Sequence, residues 1–192
     1  MDYPSTADSG ILINSLVVET HDARLFADLS EAERNALVRI MTSQDFVAGE
    51  VIVQQGAATR NVWMVLAGEC EVVKEPAEGS PAAPVSLAVL KPLDVFGEMT
   101  LLTPDLHVAT VRAKTSVRTL RLRGEDFTDL VDAQPRLACR LACNLLRIVS
   151  ARLRSVDEKL TGCLDDHDAR TMQQSWEELR GRLGKLYAGS PG

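Results

Sequence analysis

The sequence predicts an α+β protein, with a block of antiparallel strands set between N-terminal helices and one long C-terminal helix. Three observations predict it. Between residues 44 and 122 the apolar residues fall in short runs punctuated by glycine, as strands and tight turns require. On either side of that block the apolar period changes to three and four residues. From Pro135 to Leu160 nothing breaks the helical pattern.

The composition sets bounds on function. The 192 residues suffice for one domain of ordinary size with appendages. Apolar residues make up 45% and charged residues 25%, ordinary values for a globular chain. A net charge of −6 argues against non-specific binding to nucleic acid or a membrane surface. No apolar run approaches the ~20 residues of a membrane span. Met1 to Ser9 is polar and acidic, without the pattern of a signal peptide. The expected location is therefore cytoplasmic. Cys70, Cys139, Cys143 and Cys163 form no CxxC pair, and no metal set is completed around Cys139 and Cys143. They read as buried, reduced thiols.

Residues 1–23 read as an N-terminal arm, with an apolar piece from Ile11 to Val18 compatible with either strand or helix. Residues 24–43 read as a helix pair. Ser30 and Glu33 make a capping box, and Leu37, Ile40 and Met41 make an apolar stripe. Strand residues then flank Gly49, Gly56 and Gly68, where the chain must turn. Trp63 lies in the run Val62 to Gly68 and reads as a core residue. Residues 75–84 are a hairpin loop, Val85 to Leu90 its return strand, and Val117 to Leu122 a half-exposed closing strand. The predicted domain covers residues 24–134.

Pro135 restarts the helix, since proline is tolerated in a first turn. Leu137, Leu141, Leu145 and Ile148 form one apolar face, expected to pack on the strands. Cys139, Ala142, Leu146, Val149, Leu153, Val156 and Leu160 alternate steps of three and four, a heptad seam. A seam of this kind wants a second helix. Residues 135–160 are accordingly predicted as a dimerisation helix, with Leu146, Val149, Leu153, Val156 and Leu160 at the contact. The other reading covers the seam with the chain's own C-terminus. Thr161-Gly162 is predicted to end the helix. Residues 161–192 then form a C-terminal amphipathic helix through Met172, Trp176, Leu179, Leu183 and Leu186. Asp165, Asp166 and Asp168 read as dipole-favoured acids at its start rather than metal ligands.

One stretch carries the functional signal. Leu93-Asp94-Val95-Phe96-Gly97-Glu98 is a turn whose glycine permits a tight backbone, and the successive N–H groups of such a turn can hold an anion. Met99 to Leu102 follows, then a Pro-Asp turn and a strand from His107 to Ala113. Phe96, Gly97, Glu98, Leu101, Ala109, Thr110 and Val111 resemble, in position and spacing, the phosphate-binding cassette of the cyclic nucleotide-binding domain family, the ligand module of Crp/Fnr-type regulators and cyclic-nucleotide-dependent kinases. The family pattern is F-G-E-L-A-L-…-P-R-[ST or A]-A-T-V. The glycine spacing of residues 44–75 resembles the first half of that family's β-roll, and the likeness extends over about residues 24–160.

The resemblance implies an antiparallel β-roll, or jelly-roll barrel, flanked by helices. It implies a ligand site at Phe96, Gly97, Glu98, Met99, Thr100, His107, Val108 and Ala109, and a cyclic nucleotide ligand such as cAMP, cGMP or c-di-GMP. Glu98 falls where the family's glutamate accepts the ribose hydroxyl. This chain departs from the pattern at two places. The family's arginine falls on His107, and its small or hydroxylated residue falls on Val108. Arginine offers a permanent charge and a bidentate fork, whereas histidine is mostly neutral at pH 7 and valine has no donor.

No nucleophile elbow, P-loop or paired-carboxylate motif is present, so no enzyme, required cofactor or metal is expected. A winged helix-turn-helix would need more chain, and more positive charge, than residues 161–192 supply. The expected function is a stand-alone bacterial regulatory module that binds a cyclic nucleotide or dinucleotide. It would act as a homodimer and signal through its long helix to a protein partner of unknown identity, without touching DNA or membrane. The alternative is a ligand-free scaffold that retains the fold. A DNA-binding regulator is disfavoured.

Overall fold

The structure is a computed structural model. It describes residues 22–77, 79–103 and 105–166, with Leu16 and Thr20. Apart from Leu16, the apolar piece expected at Ile11 to Val18 lies outside the described residues, as does the amphipathic helix expected from Met172 to Leu186. The chain divides into two compact units, with the boundary after Val149.

A 3-10 turn at Arg24–Phe26 leads to helix α1, Glu31–Ile40. The capping box is formed as expected. The Glu33 N–H donates to Ser30 Oγ at 3.3 Å, and the Ser30 N–H donates to the Glu33 carboxylate at 2.8 Å. Among the described residues, eight strands follow in two four-stranded antiparallel sheets. One has the order β1 (Thr42–Phe46), β8 (Val117–Arg123), β3 (Asn61–Ala67), β6 (Val95–Phe96); the other has β2 (Val51–Val53), β7 (Thr110–Ala113), β4 (Cys70–Lys74), β5 (Val85–Leu90). A short helix α2, Glu98–Leu102, interrupts the strands, and α3, Gly124–Ala133, and α4, Pro135–Asp166, complete the order.

The turns at the glycines are where the sequence places them, but the strands on either side of them do not pair with each other. β1 pairs with β8 and β2 with β7, so the turn at Gly49 carries the chain from one sheet to the other. The turn at Gly68 does the same between β3 and β4. The hairpin β4–β5 keeps consecutive strands together. β8 alternates buried and exposed residues as expected of a half-exposed strand, with Arg118 and Arg123 exposed. It lies between β1 and β3, with Val117, Thr119, Leu120 and Leu122 all buried.

Strand alternation explains why β3 is apolar from Val62 to Ala67. Successive side chains point to opposite faces, and both faces are covered here. Trp63 and Val65 join Phe46, Val53, Cys70, Phe96, Val111 and Val117 in a cluster drawn from both sheets, the inside of the roll. Val62 and Met64 join Leu120 and Leu122 in a second cluster with Phe26, Leu37, Leu130, Leu137, Leu141, Leu145 and Ile148 from the helices. The four-residue face predicted for α4 is thus the buried one. Asn144 lies on that buried side too; its Nδ2 donates to the carbonyls of Leu25 at 3.0 Å and Ala27 at 2.8 Å. It ties α4 to the 3-10 turn, a role its residue type alone does not announce.

Four apolar residues of the seam side of α4 are exposed. Leu146 is exposed in the first unit, and Leu153, Val156 and Leu160 are exposed in the second. Two expectations need correction here. Cys139 and Cys143 are exposed rather than buried, whereas Cys70 is enclosed and its thiol is pushed up to about 11 by burial. Thr161-Gly162 does not end the helix, which continues to Asp166. A helix already formed by its neighbours absorbs one glycine at a cost of about 1 kcal/mol.

Candidate ligand site

The cassette is built on the end of the first sheet. Val65 N–H donates to the Asp94 carbonyl at 2.9 Å and Leu93 N–H to the Val65 carbonyl at 2.8 Å, which locks the incoming turn to β3. Phe96 is a core side chain. It stacks on Trp63 with ring centroids 6.2 Å apart, and Arg121 lies over the other ring system at 5.3 Å from the Trp63 centroid. Phe96 therefore anchors the cassette from below. Gly97 sits at φ 77, in the left-handed region, where the lack of a side chain removes the steric cost.

The next three residues divide by exposure. Glu98 and Thr100 are buried, and Thr100 Oγ1 donates to the Gly97 carbonyl at 3.1 Å. Met99 is exposed. At the far end of the loop, Ala109 is buried and Val108 exposed. Thr110 Oγ1 accepts from Gln54 Nε2 at 3.3 Å and from the Gln55 N–H at 3.2 Å, which fastens the loop exit to the turn after β2.

His107 does not present a charge to solvent. Its backbone is held in a ladder with the Gly56 turn: Gly56 N–H donates to its carbonyl at 2.8 Å, and its own N–H donates to Ala57 O at 2.9 Å. Its ring is buried, with Nε2 2.9 Å from Thr59 Oγ1. Burial pushes the imidazole below its ordinary value of 6.5, against the opposing pull of the Thr59 contact and the nearby Glu98 charge. At pH 7 the ring is neutral.

That has a consequence for stability. In the pH window just below 6.5 the unfolded chain binds a proton at this position that the folded chain resists. More protons on the unfolded side means stability rises with pH there and is lost as pH falls. The melting temperature of the wild type is expected to drop more steeply between pH 7 and pH 5 than that of His107→Gln, whose amide reaches Thr59 without titrating. Parallel curves for the two proteins would show that His107 is not the group responsible.

Two side chains that the sequence reading passed over stand at this site. Thr59 holds the imidazole, and Lys74 at the end of β4 donates from Nζ to the Val108 carbonyl at 2.6 Å. Neither carries a local signal, since the partners are 48 and 34 residues away in the chain. Among the described residues, no group of three or more metal-ligating side chains occurs, and no helix is long and apolar enough to cross a membrane.

Comparison with known proteins places this geometry. Residues 43–134 match the family model of the cyclic nucleotide-binding domain. The cAMP-dependent protein kinase regulatory subunit of Yarrowia lipolytica is 35% identical over 107 residues, 56% of this chain and 27% of its own length. The chain thus spans about a quarter of that relative. The catabolite activator protein of Thermus thermophilus is 26% identical, with a TM-score of 0.63, covering 88% of this chain and 73% of that one. A cyclic nucleotide-binding domain from Methylobacillus flagellatus has the same fold, with a TM-score of 0.69 at 18% identity over 79% of this chain and 84% of its own. Two four-stranded antiparallel sheets with a long helix after them match that fold. Residues 43–134 of this chain match the cyclic nucleotide-binding domain in sequence and share its fold, and they are related to protein kinase A regulatory subunits and Crp-like regulators.

Proposed function

We propose that this protein is a non-enzymatic regulatory module that takes a cyclic nucleotide or cyclic dinucleotide at its cassette and passes occupancy to a protein partner through α4, as a homodimer. The observation that supports it most is the retained architecture around Gly97. The glycine keeps its left-handed backbone, Glu98 and Thr100 stay buried beside it, and Met99 and Val108 stay exposed at the two ends. The site residues are Gly97, Glu98, Met99, Thr100, His107, Val108 and Ala109, with Phe96 as their support.

A second reading has a specific observation in its favour. His107 is enclosed and neutral where the resembled cassette carries a permanent charge, which suits a ligand-free scaffold. Isothermal titration of the full chain with cAMP, cGMP and c-di-GMP separates the two. Saturable binding of at least one, lost in Glu98→Gln, is the expected result. Absence of heat for all three up to millimolar concentration would favour the scaffold.

A further inference from the structure

We propose that Lys74, projecting from the end of β4 onto the cassette, is the cation that binds the anionic group of this protein's ligand. The inference rests on the ligand-binding reading above and names the residue that supplies its charge. The first argument is reach. Lys74 ends β4, exposed and directly after the buried Val73. Its ammonium reaches the cassette, 2.6 Å from the Val108 carbonyl.

The second argument is availability. An ammonium has three donors and Val108 occupies one. Arg112 is held by Glu71 at 3.0 Å, Lys114 by Glu69 at 3.3 Å and Arg123 by Asp126 at 2.7 Å. Among the described residues, no carboxylate makes such a pair with Lys74. The third argument is need. His107 is enclosed and bonded to Thr59, so its ring offers the cassette no positive charge. The surroundings suggest the kind of ligand. Val85, the register partner of Lys74, and Val108 are both exposed. One cation at an apolar border fits a phosphate carried on a nucleoside body. Lysine is a point charge without the bidentate fork of arginine, so the contact should be sensitive to salt and tolerant of phosphate geometry.

The test uses the full chain as wild type, Lys74→Gln and Lys74→Arg. Glutamine keeps a donor for the Val108 carbonyl and removes only the charge, and matched melting curves check that the fold is kept. For whichever of cAMP, cGMP or c-di-GMP the wild type binds, Lys74→Gln is expected to weaken binding roughly tenfold to a hundredfold and flatten its salt dependence. Lys74→Arg should retain most of the affinity. Unchanged affinity and salt slope in Lys74→Gln overturn the assignment while leaving the ligand-binding reading intact. If the wild type binds none of the three nucleotides, that reading falls, and the charge is probed alone. Inorganic phosphate is titrated while the backbone amide signals of Gly97 and Val108 are followed by NMR. Shifts in the wild type that vanish in Lys74→Gln support Lys74 as the anion contact. Shifts equal in both, or absent from the wild type, overturn it.

Discussion

Gly97→Ala is expected to cost the fold about 2–5 kcal/mol, the sum of the roughly 1–2 kcal/mol of a left-handed backbone with a side chain and the roughly 1–3 kcal/mol of overpacking. The backbone here is at φ 77, and a Cβ built on it would overlap the Asn61 carbonyl oxygen and lie 3.4 Å from the Trp63 ring. Neither neighbour can give way cheaply. Asn61 is paired with Arg123 in the sheet, and Trp63 is enclosed between Phe46 and Phe96. Gly49 supplies the control. It has φ 88 with nothing within 4 Å of its Cβ position, so Gly49→Ala carries the backbone term alone. Urea unfolding of the two variants should differ by the packing term. Equal losses would mean that the strand relaxes around Gly97 and that glycine is there only for its dihedral angle.

Leu153→Glu is expected to convert a dimer into a monomer. In the single chain Leu153 is 69% exposed, so a glutamate there is solvated and costs the monomer's fold little. In a parallel pairing of the seam the same position faces its copy. Two carboxylates would then be taken out of water beside each other, at a cost of several kcal/mol, enough to shift a micromolar dimer beyond millimolar. Light scattering on size-exclusion peaks reads the result directly, and circular dichroism confirms that the helix is retained. A wild type that already runs as a monomer at tens of micromolar would sink the dimer proposal, and the open seam would then require another occupant.

The cassette illustrates where sequence reading succeeds and where it stops. Gly97 and Glu98 were recognisable because their spacing is local and their backbone demands are particular to a few residue types. The charge state of His107 was not recognisable as such. Its residue type allows either form near neutral pH, and the decision belongs to Thr59 and to burial, both supplied by distant chain. Lys74 was invisible for a related reason. A lysine ending a strand is ordinary on any surface, and only the fold brings its ammonium to Val108.

The amino-acid pattern by itself determined what short-range physics controls. It placed the capping box at Ser30, the turns at the glycines, the restart at Pro135 and both apolar faces of the long helix, because caps, dihedral preferences and helical periodicity act within a few residues. The tertiary structure alone decided which strands pair, that β8 is central, that Cys139 and Cys143 stay open while Cys70 is enclosed, and that Lys74 reaches the Val108 carbonyl. Pairing β1 with β8 joins residues more than 70 positions apart. Such contacts depend on the packing of both sheets at once, and no local window of sequence contains that information.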